Sequence, residues 1–77
     1  MITLEQCRAG RALLGITQQQ LSEAAKVNKR TLMDFESGNR SPVPATLSVI
    51  RGALESLGVD FIPENGGGAG VRLRERG

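Results

Sequence analysis

The sequence predicts an all-α, four-helix bundle that ends in a short β-hairpin or a flexible tail. Three observations predict it. Two Thr-x-x-Gln boxes, Thr3 with Gln6 and Thr17 with Gln20, mark helix starts; in each, the two side chains satisfy amide groups that a helix leaves unpaired at its N-terminus. Gly15, Gly38 and Gly58 stand where apolar periodicity stops, the usual place for a helix to end. Leu47, Ile50, Leu54 and Leu57 recur at spacings of three or four, one apolar helix face.

Taken in order, the first helix runs from about Leu4 to Leu14, with Leu4, Cys7, Arg11 and Leu14 on one stripe, so an arginine lies on the otherwise apolar side. The second opens at Thr17, turns Leu21, Ala24 and Ala25 inward and ends near Lys26. The third follows Val27 with Asn28 as N-cap, continues through Leu32 and Phe35 to Ser37, and carries Lys29, Arg30, Met33 and Asp34 on its other side. The fourth begins near Val43-Pro44, since proline is tolerated in the first helical turn, but Val43 offers no capping oxygen. Gly10, inside the first helix, costs about 1 kcal/mol relative to alanine, which suggests close approach of another element. Beyond Gly58, Val59 to Ile62 and Val71 to Arg74 are short β-leaning runs around the glycine-rich stretch from Glu64 through Asn65-Gly66 to Gly70. They read as a hairpin or as a disordered tail.

Composition narrows the function. The 77 residues allow one small core. A single cysteine, Cys7, and no histidine exclude an intrachain disulfide and a Cys/His zinc site. No segment approaches the apolar length of a membrane span, no leader pattern is evident at the N-terminus, and a lone cysteine suits a reducing cytoplasm. An enzyme is not expected, and neither is a cofactor. Histidine is missing, no serine elbow occurs, and the glycines at 66–70 lack the Lys-Ser/Thr and following helix of a phosphate-binding loop. Ten Lys plus Arg against eight Asp plus Glu give a net charge of only +2. The distribution is more telling: Lys26, Lys29, Arg30 and Arg40 fall in one short stretch, with Asp34 and Glu36 between them.

The run from Gly15 to Pro42 is the distinctive part. Arg11 stands four residues before Gly15, Thr17-Gln18 opens the second helix, Leu21 is apolar, and Leu32, Glu36-x-Gly38 and Pro42 follow in register. This pattern, over about residues 4 to 58, resembles the Cro and phage-repressor (XRE-type) helix-turn-helix family. The resemblance implies a lambda-repressor-like bundle whose third helix enters the major groove of double-stranded DNA. Base-reading positions then fall at the start of that helix, on Lys29, Arg30 and Asp34, with Asn28, Thr31 and Met33 beside them. Lys and Arg pair with guanine, and an Asp can accept from cytosine. Asp34 can equally serve as an intramolecular partner for a Lys or Arg, because phosphate repels it. Gln18 at the start of the second helix, and Asn39 and Arg40 after the third, are candidates for phosphate. The resemblance also implies a semi-buried salt bridge between Arg11 and Glu36. Lys26 departs from the pattern, standing where the family commonly has glycine.

Residues 1–58 thus read as a helix-turn-helix domain and 59–77 as a hairpin or tail. Leu57, Val59, Phe61, Ile62, Val71 and Leu73 form a candidate homodimer surface, since repressors of this type bind paired half-sites as symmetric dimers. Arg72, Arg74 and Arg76 read as the wet face of a strand, or as a minor DNA-touching arm. The expected function is sequence-specific DNA binding in transcriptional regulation, as a repressor. The alternative is a protein-binding role on the same fold, as an antitoxin or anti-activator.

Overall fold

Helix capping acts where the sequence places it. In the computed structural model, which describes residues 1–63 and 66–74, Thr3 Oγ1 accepts from the Gln6 amide while Gln6 Oε1 accepts from the Thr3 amide at 3.0 Å. Thr17 and Gln20 repeat the arrangement. These boxes open α1 (Leu4–Leu14) and α2 (Gln18–Ala25). Asn28 Oδ1 accepts from the Arg30 amide at 2.8 Å and opens α3 (Lys29–Ser37). The last helix, α4 (Pro44–Ser56), begins after Val43 with no side-chain cap, leaving proline's fixed φ to start it.

The turns between helices need left-handed backbone. Gly15 (φ 68°) ends α1, and the Ile16 amide reaches back to the Arg11 carbonyl, which satisfies a carbonyl the helix leaves open. Gly38 (φ 82°) does the same for α3. Between α2 and α3 the same geometry falls on Lys26 (φ 56°), the only left-handed non-glycine among the described residues.

Ile2, Cys7, Leu21, Leu32, Phe35, Leu47, Ile50, Leu54 and Val59 form one buried cluster drawn from every helix and from the tail. Each fully covered Leu or Ile is worth about 1.5–3 kcal/mol of hydrophobic transfer. The tail forms a two-stranded antiparallel hairpin, β1 (Val59–Ile62) with β2 (Gly70–Leu73), pairing Val59 with Leu73 and Phe61 with Val71. The fold is therefore a four-helix bundle with a C-terminal hairpin, the hairpin form of the expected tail.

Several details differ from the sequence expectation. Ala24 faces solvent, and Ser22 takes its place among the buried residues of α2 beside Leu21 and Ala25. At 3.6 residues per turn, Leu21, Ala25 and Ser22 share one arc of about 100°, and Ala24 lies about 60° outside it. Leu57 lies one residue past α4 and is 44% exposed, because Gly58 (φ 111°) turns the chain away before it can join the face of Leu47, Ile50 and Leu54. The second strand starts at Gly70 and ends at Leu73, so Arg74 lies outside it. A Cβ on Gly10 would meet the Leu54 methyls at 3.5 Å, ordinary contact, so packing there does not require glycine. The expectations for Glu64, Asn65 and Arg76 lie outside the described residues. No described helix is long and apolar enough to cross a membrane.

Candidate nucleic-acid interface

The outer face of α3 follows from what its inner face buries. Leu32, Phe35 and Glu36 point into the molecule. The helix period then turns Lys29, Arg30 and Met33 outward, with Thr31 and Asp34 half-covered at the edges. Arg30 keeps 78% of its side chain exposed. Asn28 is exposed at the head of the helix, its Oδ1 engaged in the cap. The face is thus a cationic first turn on a helix anchored from behind.

What anchors it is a buried polar cluster around Glu36, whose side chain is only 4% exposed. Arg11 of α1 holds the carboxylate with two bonds, Nε to Oε2 at 2.8 Å and Nη2 to Oε1 at 2.7 Å. Its Nη1 donates to the Ile16 carbonyl at 3.2 Å, which ties the α1–α2 turn to the same guanidinium. The Cys7 thiol donates to Oε2 at 3.1 Å, and Gln18 Nε2 donates to Oε1 at 2.9 Å. Burial alone would raise the Glu36 pKa. The hydrogen bonds from Arg11, Gln18 and Cys7, with the Arg11 charge, outweigh it and hold the carboxyl below its ordinary value. The Glu36 bond raises Arg11. Burial, reinforced by Glu36, pushes the Cys7 thiol well up and keeps it protonated.

The side-chain amide of Gln18, a candidate for phosphate, is partly committed elsewhere. One N–H goes to Glu36 and the Gln20 amide goes to the Thr17 hydroxyl, so the second N–H of Gln18 and the backbone amides of Gln18 and Gln19 remain for an anion. No local signal in the sequence marks this link, or the thiol bond from Cys7. Both depend on side chains that are 18 and 29 residues from Glu36.

Of the two roles open to Asp34, the internal one is occupied: Arg30 Nε lies 3.4 Å from Asp34 Oδ1. The Asp34 carbonyl accepts the amides of Asn39 and Arg40 at 3.0 and 3.3 Å, which folds the following loop back onto the end of α3. Asn39 and Arg40 are both exposed there. Asn28, Arg30, Thr31, Asp34, Arg40 and Pro42 line one cleft between the helix and that loop.

The candidate dimer residues divide. Val59 is fully buried in the core and offers no surface. Phe61 and Val71 are half-covered against the core, and Arg51 stacks on the Phe61 ring at 4.9 Å. Leu57, Ile62 and Leu73 are 44%, 38% and 48% exposed. Arg72 is exposed, while Arg74 reaches Asp60 at 3.0 Å and the Glu55 carbonyl at 3.1 Å, closing the hairpin onto α4. Among the described residues no cluster of Cys, Asp or Glu is arranged to hold a metal ion.

No curated protein matches the chain. A family model described as helix-turn-helix matches residues 8–61, from the second turn of α1 into β1 and more than two thirds of the chain. The chain therefore belongs to the helix-turn-helix family, as a domain of the XRE type, whose members bind DNA in transcriptional regulation and are not catalysts.

Proposed function

We propose that this protein is a cytoplasmic, sequence-specific repressor that binds double-stranded DNA as a homodimer on an inverted-repeat operator. The observation that carries the reading is the exposed cationic first turn of α3, Lys29 and Arg30, on a helix whose other face is buried and pinned through Glu36. A major groove about 12 Å wide admits one such helix, and Arg and Lys there pair with guanine O6 and N7. Thr31 and Met33 adjoin the base edges. Asn28, the remaining donors of Gln18, and Asn39 with Arg40 flank the helix where the phosphate strands pass.

Residues 1–58 carry the DNA contacts in this reading, and the hairpin region from residue 59 carries self-association. Leu57, Ile62 and Leu73, with the outer edges of Phe61 and Val71, supply the apolar surface. Val59 is omitted, since the monomer's own core covers it. Two copies related by a two-fold axis would present two copies of α3 to successive major grooves.

Selection of bound duplexes from random DNA tests this. It should return an inverted repeat with G·C pairs in each half-site and centres about 34 Å apart, one helical turn. Specific binding should exceed nonspecific binding by at least about 10³ and weaken steeply with salt. An A·T-only core would contradict the assignment of Lys29 and Arg30. Failure to enrich any sequence, with no salt-dependent binding, would move the protein to the protein-binding role.

A further inference from the structure

Attraction to a polyanion does not explain Asp34. A carboxylate on the face turned toward DNA is repelled by phosphate, yet Asp34 stands in the cleft between Arg30 and Arg40 with 23% of its side chain exposed. Helix stability is a poor account of its pairing with Arg30. The cation sits toward the N-terminus and the anion one turn later, the less favourable order for an i,i+4 pair in the field of the helix. An exposed pair of this kind contributes about 1 kcal/mol at most.

What the pair does bias is where the guanidinium rests. Arginine presents five N–H donors in a planar fork. Nε is the guanidinium nitrogen paired with Asp34 Oδ1, at 3.4 Å, an ion pair without a hydrogen bond, so the two Nη nitrogens keep their donors for another partner. Two parallel donors on one edge match O6 and N7 of guanine. The carboxylate also competes with phosphate for Arg30, which disfavours the swing onto the backbone that would give affinity without sequence choice. Through its carbonyl, Asp34 holds the amides of Asn39 and Arg40, so the reader and the phosphate loop are referenced to the same residue.

We infer that Asp34 is a specificity-determining positioning residue: its charge draws the Nε side of Arg30 toward the helix edge, so that the Nη edge reads one guanine in each half-site. Asp34 itself contacts no base. This rests on the DNA-binding reading above and adds which residue reads guanine and what aims it.

Parallel selections from random DNA, with the full chain as wild type, Arg30→Ala, Asp34→Ala, Asp34→Glu and the double Arg30→Ala/Asp34→Ala, test it. Arg30→Ala should lose preference for guanine at one position of the half-site by roughly tenfold, the scale of one bidentate contact. Asp34→Ala should lose preference at that same position, while its affinity for an unrelated duplex stays constant or rises. The double variant should discriminate there no worse than Arg30→Ala alone, and Asp34→Glu should keep the preference, because a carboxylate remains in reach. The inference is overturned if Asp34→Ala relaxes a different base pair from Arg30→Ala, which would mean direct reading of cytosine, or if it leaves every preference intact. A wild-type protein that enriches no sequence would remove the DNA-reading function itself, a result distinct from either of these.

Discussion

Glu36 accepts four hydrogen bonds from two other helices, and so a single carboxylate joins α1, α2 and α3. Its near-complete burial makes that arrangement conditional. A buried charge is tolerated while its partners stay and is costly once one leaves. Arg11→Met keeps most of the volume of the arginine stem and leaves Glu36 ionised and unpaired, so unfolding by urea should become easier by about 3–5 kcal/mol. A loss below about 1 kcal/mol would put the pair in the class of exposed bridges. The pH dependence has a definite sign. Because the folded pKa of Glu36 lies below its unfolded value, its contribution is fully present above the ordinary carboxylate range near pH 4.3. It is lost as pH falls through the folded value. Stability measured from pH 6 down to about pH 2 should therefore decline, and Glu36→Gln should be less stable at pH 6 yet show a shallower decline. Arg11, whose pKa is raised still further above this range, adds no slope in that window. This cluster was only partly legible in the sequence. An arginine on an apolar stripe is conspicuous, and the family pattern named its partner. Cys7 and Gln18 as further donors were not legible, since either residue looks ordinary until the helices are docked.

The helices themselves were legible because their signals are local. A capping box needs three residues of spacing, and a C-cap needs one glycine, so α1, α2 and α3 begin and end close to where the sequence marks them. Features that depend on distant parts of the chain were not readable. Gln6 caps α1 and is also buried, donating to the Gly70 carbonyl 64 residues away at 3.1 Å. Ile2 is buried although it precedes the first helix. Leu57 falls outside α4 although it continues the periodic pattern, which does not say on which residue the final turn unwinds. Lys26 is the element-scale feature with the clearest energetic consequence. A side chain in left-handed backbone costs roughly 1–2 kcal/mol, offset in part by the extra freedom glycine has in the unfolded chain. Lys26→Gly should therefore stabilise the protein by about 0.5–1 kcal/mol, a rise of several degrees in melting temperature for a domain of this size. An unchanged or lower melting temperature would show that the Lys26 side chain makes compensating contacts.

For the whole molecule, the hairpin is integral to the fold. Val59 is fully buried in the common cluster, and Arg74 fastens the end of β2 to α4. The sequence is compatible with a hairpin or a loose tail here, because a two-stranded sheet alone is marginal and only docking decides the matter. Leu57 and Leu73 keep nearly half of their surface exposed. If they form the homodimer contact, sedimentation of the wild type should give a dimer at high micromolar concentration, and Leu57→Lys or Leu73→Lys should give a folded monomer. A wild-type monomer at that concentration would remove the dimer from the account. The central claim is that the first turn of α3 enters DNA while the rest of the bundle holds it there. Amide chemical-shift mapping during titration with a duplex, at low and at high salt, tests that claim most directly. The account predicts salt-sensitive shifts concentrated at residues 28–34, at 39–40 and at the start of α2. Shifts confined to the hairpin and α4, or none that respond to DNA, would contradict it.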